Sequence, residues 1–179
     1  SIYDNITGTQ VLLGTAIVQA NGSWSYTTVA LLQGSHPISV TVTDPAGNIS
    51  GTTSATVTID TTPPVALTIA ASNNNGSSAV AIPNNGTTND STPLLSGTGE
   101  AGAKVTVYDG TTLLGTTTVG SNGQWTFTTP TLTNATHTLN ATQTDAAGNV
   151  SPNASVTLTV DPVAPTVTTL VITTDSVAP

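Results

Sequence analysis

The sequence predicts an all-β protein, and three observations point there. Segments such as VTVTD (40–44), ATVTID (55–60), KVTVYDG (104–110), QWTFTT (124–129) and SVTLTV (155–160) alternate apolar and polar residues with period two. Their Val, Ile and Thr side chains suit a pleated strand. No stretch of the 179 residues spaces its apolar side chains as a helix would. Finally, TDPAGNIS at 43–50 returns as TDAAGNVS at 144–151, 101 positions later, so one strand-and-turn pattern is used twice.

The repeat sets the domain size. Gly14–Asp60 aligns without a gap onto Gly115–Asp161, and about twenty of those 47 positions are identical. Shared landmarks are Gly14/Gly115, Asn21/Asn122, Trp24/Trp125, His36/His137, Asp44/Asp145 and Asp60/Asp161. Tyr3-Asp4 matches Tyr108-Asp109 once roughly four extra residues are allowed within Asn5–Val11 of the first copy. A period near 100 residues is that of a whole domain, not of a solenoid unit.

The complete copy divides into seven strands, at 64–71, 93–99, 104–108, 112–119, 124–129, 137–144 and 154–160. Asn122-Gly123 is the hairpin signal between the fourth and fifth, and Ala147-Gly148-Asn149 turns the sixth into the seventh. Trp125 and Phe127 share one face of the fifth strand and should plug the core, as should Trp24 and Tyr26 in the first copy. Seven short strands in about 100 residues predict tandem immunoglobulin-like β-sandwich domains, here without the Cys–Trp–Cys pattern of antibody domains. The expected domains are 1–61, a partial copy lacking its first strands; 62–161, a complete one; and 162–179, the start of a third. The chain begins in mid-pattern, as a window from a longer protein would. Asp60-Thr-Thr-Pro-Pro64 and Asp161-Pro-Val-Ala-Pro165 separate the units, and proline stiffens such short joints.

Composition excludes several classes of function. One lysine, no arginine and nine acids give a formal net charge of −8. Ordinary nucleic-acid binding needs cations to neutralise phosphates, and docking on an anionic membrane needs them too. No apolar run approaches the roughly 18 residues that span a bilayer, and the N-terminus lacks the basic and apolar regions of a signal peptide. Without cysteine there is no disulfide framework and no thiolate metal site.

The acids have a pattern. All nine, Asp175 included, fall at strand ends or joints. With strands running alternately up and down, Glu100 and Asp145 lie at the upper end of the complete sandwich, beside the turn at Asn122. Asp109, Asp161 and Asp90 lie at the lower end. The first copy repeats this with Asp44 above and Asp4 and Asp60 below. Singly, each of these is a turn residue, because Asp bonds its own backbone. When domains stack, however, Asp4 and Asp60 of one meet Glu100 and Asp145 of the next, and such carboxylates repel. Calcium resolves the repulsion, because it takes roughly six to eight oxygens from carboxylates, carbonyls, amides and waters. Magnesium demands a tighter octahedron and zinc wants histidine or cysteine.

Catalytic chemistry finds no foothold, so the chain reads as no enzyme. His36 and His137 occupy equivalent positions, and a residue copied once per domain reads as scaffold that caps or bridges a loop. A hydrolase nucleophile with a base in reach and a cleft holding paired carboxylates are both missing from the pattern. Gly97-Thr-Gly99 precedes a strand and is no phosphate loop.

YDGTTLLGTTTVGSNGQWTFT (108–128), the His137 strand, TDAAGNVS (144–151) and DTTPP (60–64) together resemble the bacterial Ig-like repeats of giant, type I-secreted adhesins of the biofilm-associated, Bap type. The resemblance covers essentially the whole chain. It implies tandem sandwiches on the surface of Gram-negative bacteria, with calcium ions that rigidify the joints. Its implied ligands are Asp60 and Asp161 in the linkers, Asp44 and Asp145 before the glycine turns, Asp4 and Asp109 after the tyrosines, and Glu100 in GTGEAG. Asp4 departs from the pattern, being followed by Asn5 rather than glycine.

Two functions are expected to compete. In one, the chain is an extracellular spacer of a surface adhesin, acting in cell adhesion and biofilm formation. Its partners are then neighbouring repeats of the same chain, with a host or abiotic surface reached through distal domains. In the alternative, the sandwich itself grips a glycan or a host protein. Sugar platforms expose several coplanar aromatics, whereas the six here mostly alternate into cores.

Overall fold

The computed structural model describes residues 1–76 and 78–167. Most of the expected third-domain segment, with Asp175, lies outside the described residues. The chain divides into two compact units, Ser1–Thr62 and Pro63–Pro179.

The first unit is a single antiparallel sheet of four strands, β1 (Ile2–Asp4), β2 (Val11–Gly14), β3 (Gly34–Val40) and β4 (Thr53–Ile59), in the order β2-β1-β3-β4. The extra residues between Asn5 and Val11 hold a short 3₁₀ turn, Ile6–Gly8. Residues 15–33 form no strand. Trp24 therefore does not plug a core and is 44% exposed. Tyr26 is half-buried; its ring lies over Gly14 and its hydroxyl donates to the Leu13 carbonyl.

The described residues of the second unit form nine strands rather than the seven expected. These are β5 (Ala70–Asn73), β6 (Val80–Ile82), β7 (Gly86–Thr88), β8 (Leu94–Thr98), β9 (Lys104–Asp109), β10 (Thr112–Thr118), β11 (Gln124–Thr128), β12 (Thr136–Thr144) and β13 (Ala154–Val160). One sheet has the order β10-β9-β12-β13-β7 and the other β11-β8-β5-β6. All neighbours are antiparallel except β13 and β7. The period-two alternation sends Val105, Val107, Leu139, Ala141 and Leu158 inward from the five-stranded sheet, each fully buried. Leu95 and Trp125 meet them from the other sheet, within one continuous core.

The contrast between the two units has a simple cause. Trp125 is held in register because β11 pairs along its whole length with β8, Trp125 opposite Gly97. Among the described residues the first unit has no counterpart of β8, so Trp24 has no ladder to fix it. The repeated Gly14/Gly115 is explained in both units by close approach, since the ring of Phe127 lies over Gly115 as that of Tyr26 does over Gly14.

The strand expected at 64–71 forms only at its end, as Ala70–Asn73. Pro63 and Pro64 have no N–H to give a ladder, and at Thr68, whose N–H donates to the Thr98 carbonyl at 2.9 Å, side chains complete the pairing. The Thr98 N–H donates to the Thr68 hydroxyl at 2.7 Å, and the Trp125 indole N–H donates to the Thr68 carbonyl at 3.2 Å. The missed strands β6 and β7 are three residues each, set among Asn, Gly, Ser and Pro that read as loop.

Candidate functional site at the ends of the sandwich

Strand pairing places the acids at two poles. Lys104 pairs with Thr144 and Asp109 with Leu139, so Asp109 lies at the opposite end of β9 and β12 from Asp145. Glu100 shares the Asp145 pole, since its N–H donates at 2.8 Å to the side chain of Gln143, two residues before Asp145. Asp161 follows β13 at the other pole, its N–H donating to the Thr88 carbonyl at 2.8 Å.

Asp44 and Asp145 organise the same loop in both repeats. Asp145 Oδ1 accepts the N–H groups of Ala147 and Asn149, both at 2.9 Å, while Oδ2 accepts the Asn149 side-chain amide at 2.9 Å. Asp44 does the same with Ala46 N–H at 2.9 Å, Asn48 N–H at 2.8 Å and the Asn48 amide at 2.8 Å. Side-chain donation from Asn48 and Asn149, with the backbone N–H groups, holds both carboxyls below the ordinary carboxylate value.

At the lower pole each repeat builds a carboxylate–imidazole pair. His36 Nδ1 lies 2.5 Å from Asp4 Oδ2, and His36 Nε2 lies 2.7 Å from the Leu32 carbonyl. His137 Nδ1 lies 2.6 Å from Asp109 Oδ2, and Nε2 lies 3.0 Å from the Thr133 carbonyl. Both ring nitrogens face acceptors, so the imidazolium, with two donors, satisfies the geometry. The hydrogen bond that His36 donates to Asp4, with that to the Leu32 carbonyl, raises the His36 value. At His137 burial opposes protonation, but the Thr133 carbonyl and Asp109 outweigh it and the value is again raised. The two histidines thus bridge a loop to a strand end.

The remaining acids are placed as follows. Asp90 is fully buried and belongs to the interior. Its carboxylate accepts the N–H groups of Asn74 and Thr92, each at 2.9 Å, and the Thr92 hydroxyl at 3.2 Å. Asp60 and Asp161 are exposed, and each accepts the N–H two residues on, Thr62 at 3.0 Å and Val163 at 3.2 Å. Glu100 is exposed. Within either unit, among the described residues, no three His, Cys, Asp or Glu side chains converge as a metal site.

One polar residue at the upper pole escapes a charge-based reading. Gln143 is fully buried between Glu100 and Val65. It occupies the inward register of β12 after His137, Leu139 and Ala141, and an amide at an inward position is the sequence signal that marks it.

The bacterial Ig-like domain family model matches residues 2–61 and 62–162. Among solved structures, the chain is similar to a biofilm-associated protein, its BSP domain, at 24% identity and TM-score 0.40 over 92% of this chain and 25% of that one. It is also similar to SGBP-B of the Bacteroides ovatus mixed-linkage glucan utilization locus, solved with a mixed-linkage heptasaccharide. There the identity is 16% and the TM-score 0.31, over 89% of this chain and 38% of that one. The chain thus spans a quarter to two fifths of these neighbours. No curated protein matches it.

Proposed function

Since the chain belongs to the bacterial Ig-like domain family, we propose that its repeats are spacer modules of a bacterial surface adhesin, joined stiffly when calcium occupies the joints. The supporting observation is the repetition of charge by position. The same carboxylates sit at the same poles of each repeat, in a chain with one lysine, Lys104, and no arginine. A spacer has to hold a distal binding element at a distance, and a joint that bends freely defeats that purpose. The proposed ligands are the exposed pole acids Asp60, Asp161, Glu100 and Asp44 and the half-buried Asp145, completed by carbonyls and water. Asp4 and Asp109, held by their histidines, and the interior Asp90 act within their own repeat. Extracellular calcium modules bind on the order of 10⁻⁴–10⁻³ M. Under this reading the joint is loose in the calcium-poor cytosol and stiff outside, which suits type I secretion.

Chelation provides the test. Small-angle scattering of the 179-residue chain in millimolar calcium is expected to give a longer, narrower distance distribution than in EDTA, with a higher melting temperature. Superimposable profiles in the two buffers would remove calcium from the joint.

A binding module is the second reading, and Trp24 favours it. This half-exposed aromatic lines an open apolar groove with Tyr26, Ile38 and Val40, as sugar-binding platforms do. Trp125 is buried, so the feature belongs to one repeat only. Calcium-dependent hits on a glycan array that vanish in Trp24→Ala would promote it.

A further inference from the structure

The beginning of the second unit is fastened by a side chain. Gln143 Oε1 accepts the Glu100 N–H at 2.8 Å, and Nε2 donates to the Val65 carbonyl at 2.8 Å. Its backbone is pinned too. Its N–H donates to the Ser151 hydroxyl at 3.0 Å, and its carbonyl accepts the Ser151 N–H at 2.9 Å. One amide thus joins three stretches far apart in sequence: the segment after Pro63-Pro64, the turn at 99–103, and β12. A primary amide suits the task, offering a donor and an acceptor without charge. Gly99 makes room for it, because a Cβ there would lie 2.5 Å from Gln143 Oε1.

The first repeat shows the same frame without the fastener. The position equivalent to Gln143 is Val42. Its N–H donates to the Ser50 hydroxyl at 2.9 Å, and its carbonyl accepts the Ser50 N–H at 2.8 Å. The loop is conserved between repeats and only the side chain differs; Val42 has no side-chain donor or acceptor and is exposed.

On the other side of the linker, the first unit holds its own end. Gln33 Nε2 donates to the Thr62 hydroxyl at 2.5 Å, and the Thr61 hydroxyl donates to Gln33 Oε1 at 2.9 Å. Thr61 and Thr62 are tied to one unit and Val65 to the other. Between them lie Pro63 and Pro64, whose φ angles the rings fix near −65°.

We infer that Gln143, assisted by Gln33, anchors the linker on both sides of Pro63 and the buried Pro64, stiffening this joint without any ion. Whether a repeat carries glutamine or valine at this position then sets how firmly its incoming linker is held. The inference takes its purpose from the spacer reading and is independent of calcium. A metal acts through the exposed carboxylates, whereas this anchor is buried and neutral.

The test is nitrogen-15 relaxation on the full chain in EDTA, comparing the native protein with Gln143→Val and Gly99→Ala. The first variant installs the side chain of the other repeat, and the second displaces the amide by contact with its oxygen. In the native chain, Val65 and Ala66 are expected to show order parameters near the rigid value of about 0.85, falling below about 0.6 in both variants while β9 and β12 stay rigid. Glu100 amide exchange should quicken at least roughly tenfold, as expected for loss of one buried hydrogen bond. Spin labels at Ser35→Cys and Thr118→Cys, unambiguous in a chain without cysteine, should report a broader distance distribution in the variants. A mobile Val65 in the native chain overturns the inference. So does unchanged order at Val65 in variants whose Glu100 amide exchanges faster, which would make Gln143 packing alone. Should Gln143→Val not fold, the native side-chain amide decides: slow exchange of its protons supports the anchor and rapid exchange overturns it. Because every measurement is made in chelator, a failed calcium titration leaves this outcome untouched, and the converse holds.

Discussion

His36 and His137 each present two ring nitrogens to two acceptors, and that arrangement fixes the sign of a pH response. Asp4 is the ionisable group acting on His36 and Asp109 the one acting on His137. Both histidines hold their proton more tightly folded than unfolded, so their contribution is complete below the ordinary value of 6.5 and is lost as pH rises through the higher folded values. Asp44 and Asp145 behave oppositely. Their values lie below the ordinary 3.8, so their contribution is complete above that pH and is lost as pH falls through the folded values. Melting temperature measured from pH 2 to 10 should therefore decline at both ends. The alkaline decline should disappear in the His36→Gln/His137→Gln double variant. A melting temperature that climbs from pH 6.5 to 9 would contradict the imidazolium assignment. At this scale the sequence was informative about position and silent about partners. Repetition marked His36 and His137 as loop bridges, but their pairing with Asp4 and Asp109 spans 32 and 28 residues, and only the β1–β3 and β9–β12 pairings bring the partners together.

Among elements, β11 and its unpaired counterpart in the first repeat make a controlled comparison. Both carry tryptophan in nearly the same local sequence, SWSYTT against QWTFTT, yet only Trp125 is buried, at 2% exposure. Trp125→Ala is expected to cost about 3–5 kcal/mol, whereas Trp24→Ala should change stability by roughly half a kcal/mol. Urea unfolding of the two variants measures both; equal losses would mean that Trp24 is packed as firmly as Trp125. Six of the seven expected strands were legible because each is long enough to show alternation between recognisable turns. The first was not, since Pro63 and Pro64 withhold donors and Thr68 pairs with Thr98 by one backbone bond and one bond to its hydroxyl. Nor were β6 and β7, because three residues are too few to display a period. The acids at strand ends were readable from the same alternation. Gln143 shows in the sequence only as an amide at an inward position, because its importance lies in what reaches it from Val65 and Glu100.

For the molecule as a whole, the two repeats share a sequence pattern but not a degree of enclosure. The first unit leaves Ile17, Val29 and Leu32 more than two thirds exposed, beside a single sheet, while the second closes its core between two sheets. Loss of structure should therefore proceed in two steps, the first unit before the second. Trp24 and Trp125 provide separate reporters, each read in the Trp→Phe variant of the other. Coincident transitions for the two would show that the units unfold together.

The parallel pairing of β7 with β13, the one such pairing among the described residues, adds a mechanical consequence. At the C-terminal end of the second unit, β7 lies alongside β13 through three rungs, Gly86 with Leu158, Thr87 with Thr159 and Thr88 with Val160. Tension drawn along the chain tries to slide these two strands past one another, loading all three rungs at once rather than peeling them singly. A tether pulled by its ends would thus meet its greatest resistance at the point where the chain leaves the domain.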